Sequence, residues 1–361
     1  MADHGFRYVE VKEKLIEEIG SMKPHDRLPS RTVLAETYKA ARTTVERAIS
    51  ELIGEGYLYA RDGSGTYVSE KRDGPKRNGP VSVGLIIPDI MHDTYPGILR
   101  GVEDVTHRHD ISLVVCNTDN QADKQSNYIQ KLLEAGINGI IIVPAIAGAV
   151  DPAPFYKLQE LNTPIVFCNR GIDGIEAPKV VSNNFYGAYV AVKHLIEQGC
   201  RSIAYISRPM YSTSYERYQG YTSALAEARI PVREDYVMFE PTFETERQGY
   251  DSVDAMLRNG LRPDGIFCFN DGIALGAYEA LTHHRLQVGK DVKLVGYDNT
   301  SLCERMPVKL SSVKFMTYQT GSHAAELMVR MLAGDPVRND KLIVLQPELV
   351  VRDSSVMPQL Q

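Results

Sequence analysis

Cysteine is scarce in this chain of 361 residues: there are five, at Cys116, Cys168, Cys200, Cys268 and Cys303, far apart and with no Cys-x-x-Cys pair. An odd, scattered set excludes a disulfide framework and reads as reduced thiols, structural filler in a cytosolic protein. Long apolar runs are missing too. No stretch of 18 apolar residues occurs, and Lys12, Glu13, Lys14, Glu17 and Glu18 stand where a signal core would be apolar. Neither a membrane span nor a secretory leader is expected, which places the protein in the cytoplasm, off the membrane. Tryptophan, internal repeats and low-complexity tracts are also absent, so repeat and disordered classes drop out.

Charge of one sign is not in large excess: 40 Lys and Arg face 46 Asp and Glu, a formal charge of −6. That excludes a polycation held to nucleic acid by net charge, so any such contact has to be a local patch. Residues 1–80 hold 14 basic and 13 acidic side chains and the remainder 26 and 33; the front is near neutral and the back acidic. No glycine-rich phosphate loop, nucleophile elbow or His-Glu-x-x-His motif is present, and Gly63-x-Gly65 lacks a third glycine. His107 and His109 fall at a helix end and His283 and His284 are adjacent, so solvated imidazoles are expected there and not a metal site. No catalytic residue, metal or cofactor is assigned, and the protein is not expected to be an enzyme.

What the chain has is length for two or more domains and 43% hydrophobic residues to fill their cores. Tyr8, Val11, Leu15, Ile16 and Ile19 make one apolar stripe, a helix over 7–21. Ser30 stands at an N-cap position before a short helix carrying Val33, Leu34 and Tyr38. Val45, Ala48, Ile49, Leu52 and Ile53 stripe a third helix over 42–54. Short successive helices suggest a helix-turn-helix, and Tyr57-Leu58-Tyr59 and Thr66-Tyr67-Val68 around Gly63-Ser64-Gly65 read as a hairpin wing. Arg42, Thr43 and Thr44 crowd the start of the third helix, where free amides, hydroxyls and a guanidinium suit a phosphate or a base edge. The glycine-rich wing, with Arg61 and Asp62 beside it, permits close approach to a sugar-phosphate ridge.

Residues 70–80, EKRDGPKRNGP, hold four basic residues, two Gly and two Pro but nothing apolar, and read as a linker between parts spanning 1–69 and 81–361. Beyond it, apolar runs at 83–87, 113–115, 139–143 and 165–167, then 202–206, 265–269 and 292–295, alternate with helical stretches such as 121–135, 186–198 and 272–282. Runs of this kind are parallel strands buried on both faces, and two sets imply two lobes of a doubly wound α/β fold. Polar and aromatic residues cluster after the strand ends, where such sheets bind ligands: Asp89, His92 and Tyr95; Asn169 and Arg170; Asn183 and Asn184; Ser214, Arg217, Gly220 and Tyr221; Asn270 and Asp271; Asp298 and Asn299. Carboxylates, carboxamides and guanidiniums around aromatic rings suit a polyol, although Asn183, Asn184 and Asp271 suit helix caps as well.

Residues 7–69, with LPS, ARTTV, EGYL and GSGTYV, resemble the winged helix-turn-helix of the GntR family. The resemblance implies operator contacts through Ser30, Arg31, Arg42, Thr43, Thr44, Arg47, Asp62 and Gly63. Two positions depart from the pattern: Arg31-Thr32 follows LPS where an acidic-then-basic pair is usual, and Glu46 occupies a site one turn into the helix where a basic residue is common. Residues 81–353, with VGLIIPDI, AGINGIIIVP, TPIVFCNR, RYQGYTSAL, PDGIFCFND and VGYDNT, are similar to the effector domain of the LacI/GalR family and through it to periplasmic sugar-binding proteins. That likeness implies a sugar effector held by His92, Tyr95, Arg170, Arg217, Asn270, Asp298 and Phe315, with His92, Asp93 and Phe315 differing from the common residues. The combination resembles arabinose repressors of the AraR type, implying a pentose or similar sugar. The expectation is a sugar-responsive regulator, in the first instance a repressor, that binds double-stranded operator DNA as a homodimer. The alternatives are activation in place of repression, a sugar kinase or dehydrogenase on a doubly wound sheet, and a transport-type binding protein.

Overall fold

The computed structural model describes residues 4–54, 56–61, 63–69, 80–239, 245–335, 337 and 341–356. The chain divides into two compact units, Met1–Pro80 and Val81–Gln361.

In the first unit the apolar stripes become helices α1 (His4–Ser21), α2 (Arg31–Thr37) and α3 (Arg42–Gly54), followed by an antiparallel pair, β1 (Leu58–Arg61) and β2 (Gly65–Val68). Val11, Leu15 and Ile19 of α1 close over Val45, Ala48, Ile49 and Leu52 of α3, with Leu34, Leu58 and Val68 completing one small core. Ser30 Oγ accepts from the Val33 amide 3.4 Å away and fixes the start of α2. A feature absent from the sequence reading is a third arm of the wing: Leu28 N–H donates to Thr66 O (2.8 Å) and Val68 N–H to Asp26 O (2.9 Å), so the segment before α2 is stitched to β2. Gly65, at φ +128°, lies beneath the Arg27 guanidinium, where a Cβ would come within 2.9 Å of Nε. Only glycine sits there without displacing that arginine.

The second unit holds two six-stranded sheets. The first lobe has β3 (Ser82–Ile87), β4 (Ser112–Asn117), β5 (Gly139–Ile142), β6 (Ile165–Cys168), β7 (Lys179–Ser182) and, from far along the chain, β13 (Leu342–Leu345). They lie in the order β13-β7-β6-β5-β3-β4, all parallel. The second lobe has β8 (Ile203–Ser207), β9 (Val237–Phe239), β10 (Gly265–Cys268), β11 (Lys293–Asp298), β12 (Ser311–Lys314) and β14 (Glu348–Val350), in the order β14-β12-β11-β10-β8-β9, with β14 alone antiparallel. Flanking helices are α4 (Tyr95–Arg108), α5 (Ala122–Glu134), α6 (Ala153–Glu160), α7 (Asn184–Glu197), α8 (Ser212–Glu227), α9 (Thr245–Arg258), α10 (Asp271–His283), α11 (Leu302–Arg305) and α12 (Thr317–Leu332).

Two expectations need correcting. The lobes are not two successive stretches of chain: α12 packs on α4, and β13 joins β7, so residues 317–345 return to the first lobe before β14 re-enters the second. The close α4–α12 packing depends on small residues, since a Cβ on Gly101 would stand 2.2 Å from Tyr318 O. Nor is every run buried on both faces. Val114 and Val115 of β4 are 41% and 39% exposed, because β4 is the outermost strand of its sheet. The strands at 237–239, 311–314 and 348–350 are very short or carry polar residues such as Ser311, Ser312, Lys314 and Glu348 and do not stand out as runs, while Leu342–Leu345 is an apolar run as long as β6 that the sequence reading passes over.

Candidate DNA interface and effector cleft

Burial of Val45, Ala48, Ile49 and Leu52 fixes which face of α3 looks outward. Arg42, Thr43 and Arg47 lie on that face and are exposed, Arg42 with 67% of its side chain open, while Thr44 is half-buried beside them. Arg31, at the start of α2, is exposed near the same end, its Nη1 3.6 Å from Glu46 Oε1. Ser30 is exposed but its hydroxyl is engaged as the cap of α2. Gly63 sits at the wing tip at φ +69° in a turn closed by Ser64 N–H donating to Arg61 O (2.9 Å); Asp62 lies outside the described residues. The structure adds one cation that the sequence named only as a neighbour of the wing. The Arg61 guanidinium is 5.6 Å from the Tyr59 ring and 5.5 Å from the Tyr67 ring, which stack at 5.7 Å, and His25 Nδ1 lies 2.9 Å from Tyr59 Oη. Aromatic faces hold the cation by its charge while leaving its N–H groups free to donate.

Between the two lobes of the second unit lies a cleft of about 300 Å³, lined among others by His92, Tyr95, Arg170, Arg217, Asn270, Asp298 and Phe315. All seven candidates therefore meet in one place, each from a loop at a strand end or the helix after it. Arg217, on α8, is 4% exposed and fixed on several sides: Nε donates to Asn184 Oδ1 (3.1 Å), Nη1 donates to Phe269 O, and the guanidinium lies against the rings of Tyr297 (3.4 Å) and Phe269 (4.2 Å). Its Nη2 stands 3.7 Å from Asp298 Oδ1. Asp298 terminates β11 at φ +97°, a region that costs a non-glycine residue of the order of 1–3 kcal/mol and tends to persist where a side chain has to be aimed. Arg170 donates from Nε to Pro144 O (2.6 Å) and faces the Tyr211 ring at 5.9 Å. Asn270 Oδ1 caps α10 by accepting from the Ile273 amide (2.9 Å), leaving its amino group for the cleft. His92 and Tyr95 lie with ring centres 5.7 Å apart on the first lobe.

At the cleft, side chains of the two lobes are joined by Thr94 Oγ1 donating to Asp298 Oδ2 (3.5 Å) and Ser301 Oγ donating to Asp93 Oδ2 (3.2 Å). Two carboxylates of the cleft are ion-paired. Asp119 is paired with Lys124 at 2.5 Å, which together with Asn117 holds its carboxyl below the usual range, and Asp298 is paired with Arg217. Tyr211 adds a phenol whose pKa burial raises, against the opposing pull of Arg170, Arg208 and Arg217 nearby. Asp119, Asn120, Ile146, Arg208, Tyr211, Thr213 and Phe269 also line the cleft and were missed in the sequence. Asp119, Asn120 and Arg208 stand just past β4 and β8, so their positions carried the same strand-end signal; side-chain direction at Tyr211 and Phe269 did not.

Other candidates belong to the framework. Asn183 accepts from the Tyr186 amide (3.0 Å) as the cap of α7, and Asn184 is buried against Arg217, Ser182 and Glu216. Ser214 closes the first turn of α8, Tyr221 donates to Ile203 O (2.9 Å), and Gly220 permits contact with α7. Asp271 is buried, with Thr300 N–H (2.7 Å), Thr300 Oγ1 (3.0 Å) and Ser312 Oγ (2.6 Å) donating to it. Burial first, then the neighbouring Asp298 charge, pushes its pKa up to about 7. All five cysteines are buried, and burial raises the thiols of Cys168 to about 12 and Cys200 to about 11, far from nucleophilic. His107 and His109 are exposed.

Residues 7–68 match the family described as bacterial regulatory proteins, gntR family, and residues 192–355 match the periplasmic binding protein-like domain. The HTH-type transcriptional repressor PurR of Mannheimia succiniciproducens is 30% identical over 280 residues, 77% of this chain and 82% of that protein. The chain belongs to the LacI/GalR-type transcription regulators. Within that family its front end is a GntR-type helix-turn-helix. An arabinose metabolism transcriptional repressor of Geobacillus stearothermophilus is 27% identical over 356 residues, 97% of each chain. Among solved structures, a LacI family transcriptional regulator of Enterococcus faecium with bound ribose superposes with a TM-score of 0.65 at 25% identity, covering 77% of this chain and all of that one. These relatives are regulators, and the kinase or dehydrogenase alternative has no support among them. This LacI/GalR-type regulator is a DNA-binding protein and not an enzyme. Among the described residues, no helix is long and apolar enough to cross a membrane.

Proposed function

We propose that this regulator is a sugar-responsive repressor: a homodimer in which residues 1–69 of each copy hold one half of a two-fold operator, residues 70–80 link them to the rest, and residues 81–361 bind the effector and dimerise. Pairing two winged units doubles the contacts and sets half-site spacing. In this reading Arg42, Thr43, Thr44 and Arg47 meet the major groove, Ser30 and Arg31 approach the backbone, and Asp62 and Gly63 lie at the wing contact. Lobe closure around a sugar shifts the relative placement of paired effector domains, and the linkers pass this to the wings. An effector works only through unequal affinity for the two states; a coupling of about 1–3 kcal/mol changes operator affinity roughly 5- to 150-fold.

The observation that carries the proposal is the cleft. Its Arg217–Asp298 pair, the Asn270 amide and the rings of Tyr95, Tyr211, Phe269 and Phe315 supply donors, acceptors and flat apolar faces in about 300 Å³, at the small end of ligand sites. A sugar has hydroxyls that donate and accept and a CH face that lies on a ring. A pentose such as arabinose is favoured, supported by the arabinose-metabolism repressor and the ribose-bound regulator among the relatives. A thermal-shift screen of pentoses, hexoses and deoxyhexoses tests this, because a ligand that binds only the native state raises its melting point. A pentose should give the largest rise; a flat panel would refute the sugar assignment.

A further inference from the structure

On the outward face of α3 a carboxylate stands between two cations. Glu46 Oε1 lies 3.4 Å from Arg42 Nε, one turn earlier on the same helix, and 3.6 Å from Arg31 Nη1 at the start of α2. One acid thereby joins the first turns of two successive helices.

Stability does not account for the arrangement. All three side chains are open to solvent, 67% for Arg42, 46% for Arg31 and 38% for Glu46, and exposed pairs of this kind contribute about 0–1 kcal/mol. The order is also the weaker one for a helix, with the cation N-terminal to the acid. Phosphate binding does not explain it either, since a carboxylate repels phosphate. A base pair does. In the major groove guanine offers the acceptors O6 and N7, which an arginine fork satisfies, while cytosine offers the N4 amino group, a donor that needs an acceptor. An acid flanked by guanidiniums matches both edges, and the trio keeps a net charge of +1 toward the phosphates.

We propose that Glu46 is a specificity-determining residue of the DNA interface: its carboxylate accepts from the N4 amino group of one cytosine in each half-site, while Arg31 and Arg42 offset its charge and hold it in register. This rests on α3 being the helix that enters the major groove.

The test is selection from a pool of randomised duplexes with the full chain and its Glu46→Gln and Glu46→Ala variants, whose melting points should match the wild type because the site is exposed. The wild type should enrich a half-site with one cytosine discriminated about 5- to 150-fold. Glu46→Gln should exchange that cytosine for adenine, whose N6 and N7 a carboxamide satisfies together, and Glu46→Ala should erase the preference there while keeping the rest of the motif. If both variants keep the wild-type motif unchanged, or both lose every position equally, Glu46 does not read a base. Failure of the wild type to enrich any motif would instead overturn the placement of α3 on DNA, and this assignment with it.

Discussion

Arg217 and Asp298 meet at the floor of the cleft, Nη2 to Oδ1 at 3.7 Å, with side chains only 5% and 10% exposed. The arginine is held by Asn184, by Phe269 O and by two aromatic faces. Asp298 also accepts from Thr94 of the opposite lobe, so it connects the cleft floor to the lobe that would close on it. Removing the carboxylate should leave a buried sugar hydroxyl without its acceptor, a loss of about 1–3 kcal/mol. Asp298→Ala is therefore expected to bind operator normally but to take sugar roughly 5- to 150-fold more weakly, seen as a raised Kd in calorimetry. Wild-type sugar affinity in this variant would refute the pocket assignment.

Arg42 sits in the other unit and should show the reverse pattern. Arg42→Ala is expected to abolish operator binding in an anisotropy titration while the sugar-induced rise in melting point stays intact. Its side chain is exposed, so its loss should scarcely change stability. Loss of both activities would mean misfolding and would remove Arg42 from the interface.

Asp271 gives the second unit a pH signature. Burial and the Asp298 charge raise its pKa from 3.8 to about 7, partly offset by bonds from Ser312, Thr300 and Cys303. Between these values the native state keeps a proton that the unfolded chain has released, so unfolding sets a proton free. This contribution to stability is full below pH of about 4 and is lost as pH rises through about 7. Asp271→Asn can keep its oxygen toward Thr300 and turn its amino group to Ser312, and should flatten that slope. Melting points at several pH values check this; an unchanged slope in the variant would place the titration elsewhere.

Much of this was legible in the sequence because periodicity and strand ends are local signals. The stripe Val45, Ala48, Ile49, Leu52 fixed which face of α3 points outward, and the strand-end rule brought His92, Arg170, Arg217, Asn270 and Asp298 to one cleft. What stayed hidden is set by distant contacts. Asn184 and Asp271 have the same side-chain chemistry as pocket residues, but their partners, Arg217 and Thr300, are far away in sequence. Phe269 belongs to the second lobe's core and Tyr211 packs against it, yet both also line the cleft, a double role that hydrophobic pattern alone does not show. The return of α12 and β13 to the first lobe depends on Gly101 admitting Tyr318 O and on β13 pairing with β7, and the apolar run Leu342-Ile343-Val344-Leu345 does not by itself say which sheet it joins.

Linkage between the two units is the central claim, and one titration tests it most directly. Labelled duplex carrying the selected motif is titrated with the full chain, with and without a saturating pentose that raises the melting point. The account predicts a change in operator affinity of about 5- to 150-fold on adding the sugar. Identical curves with the cleft demonstrably occupied would contradict it.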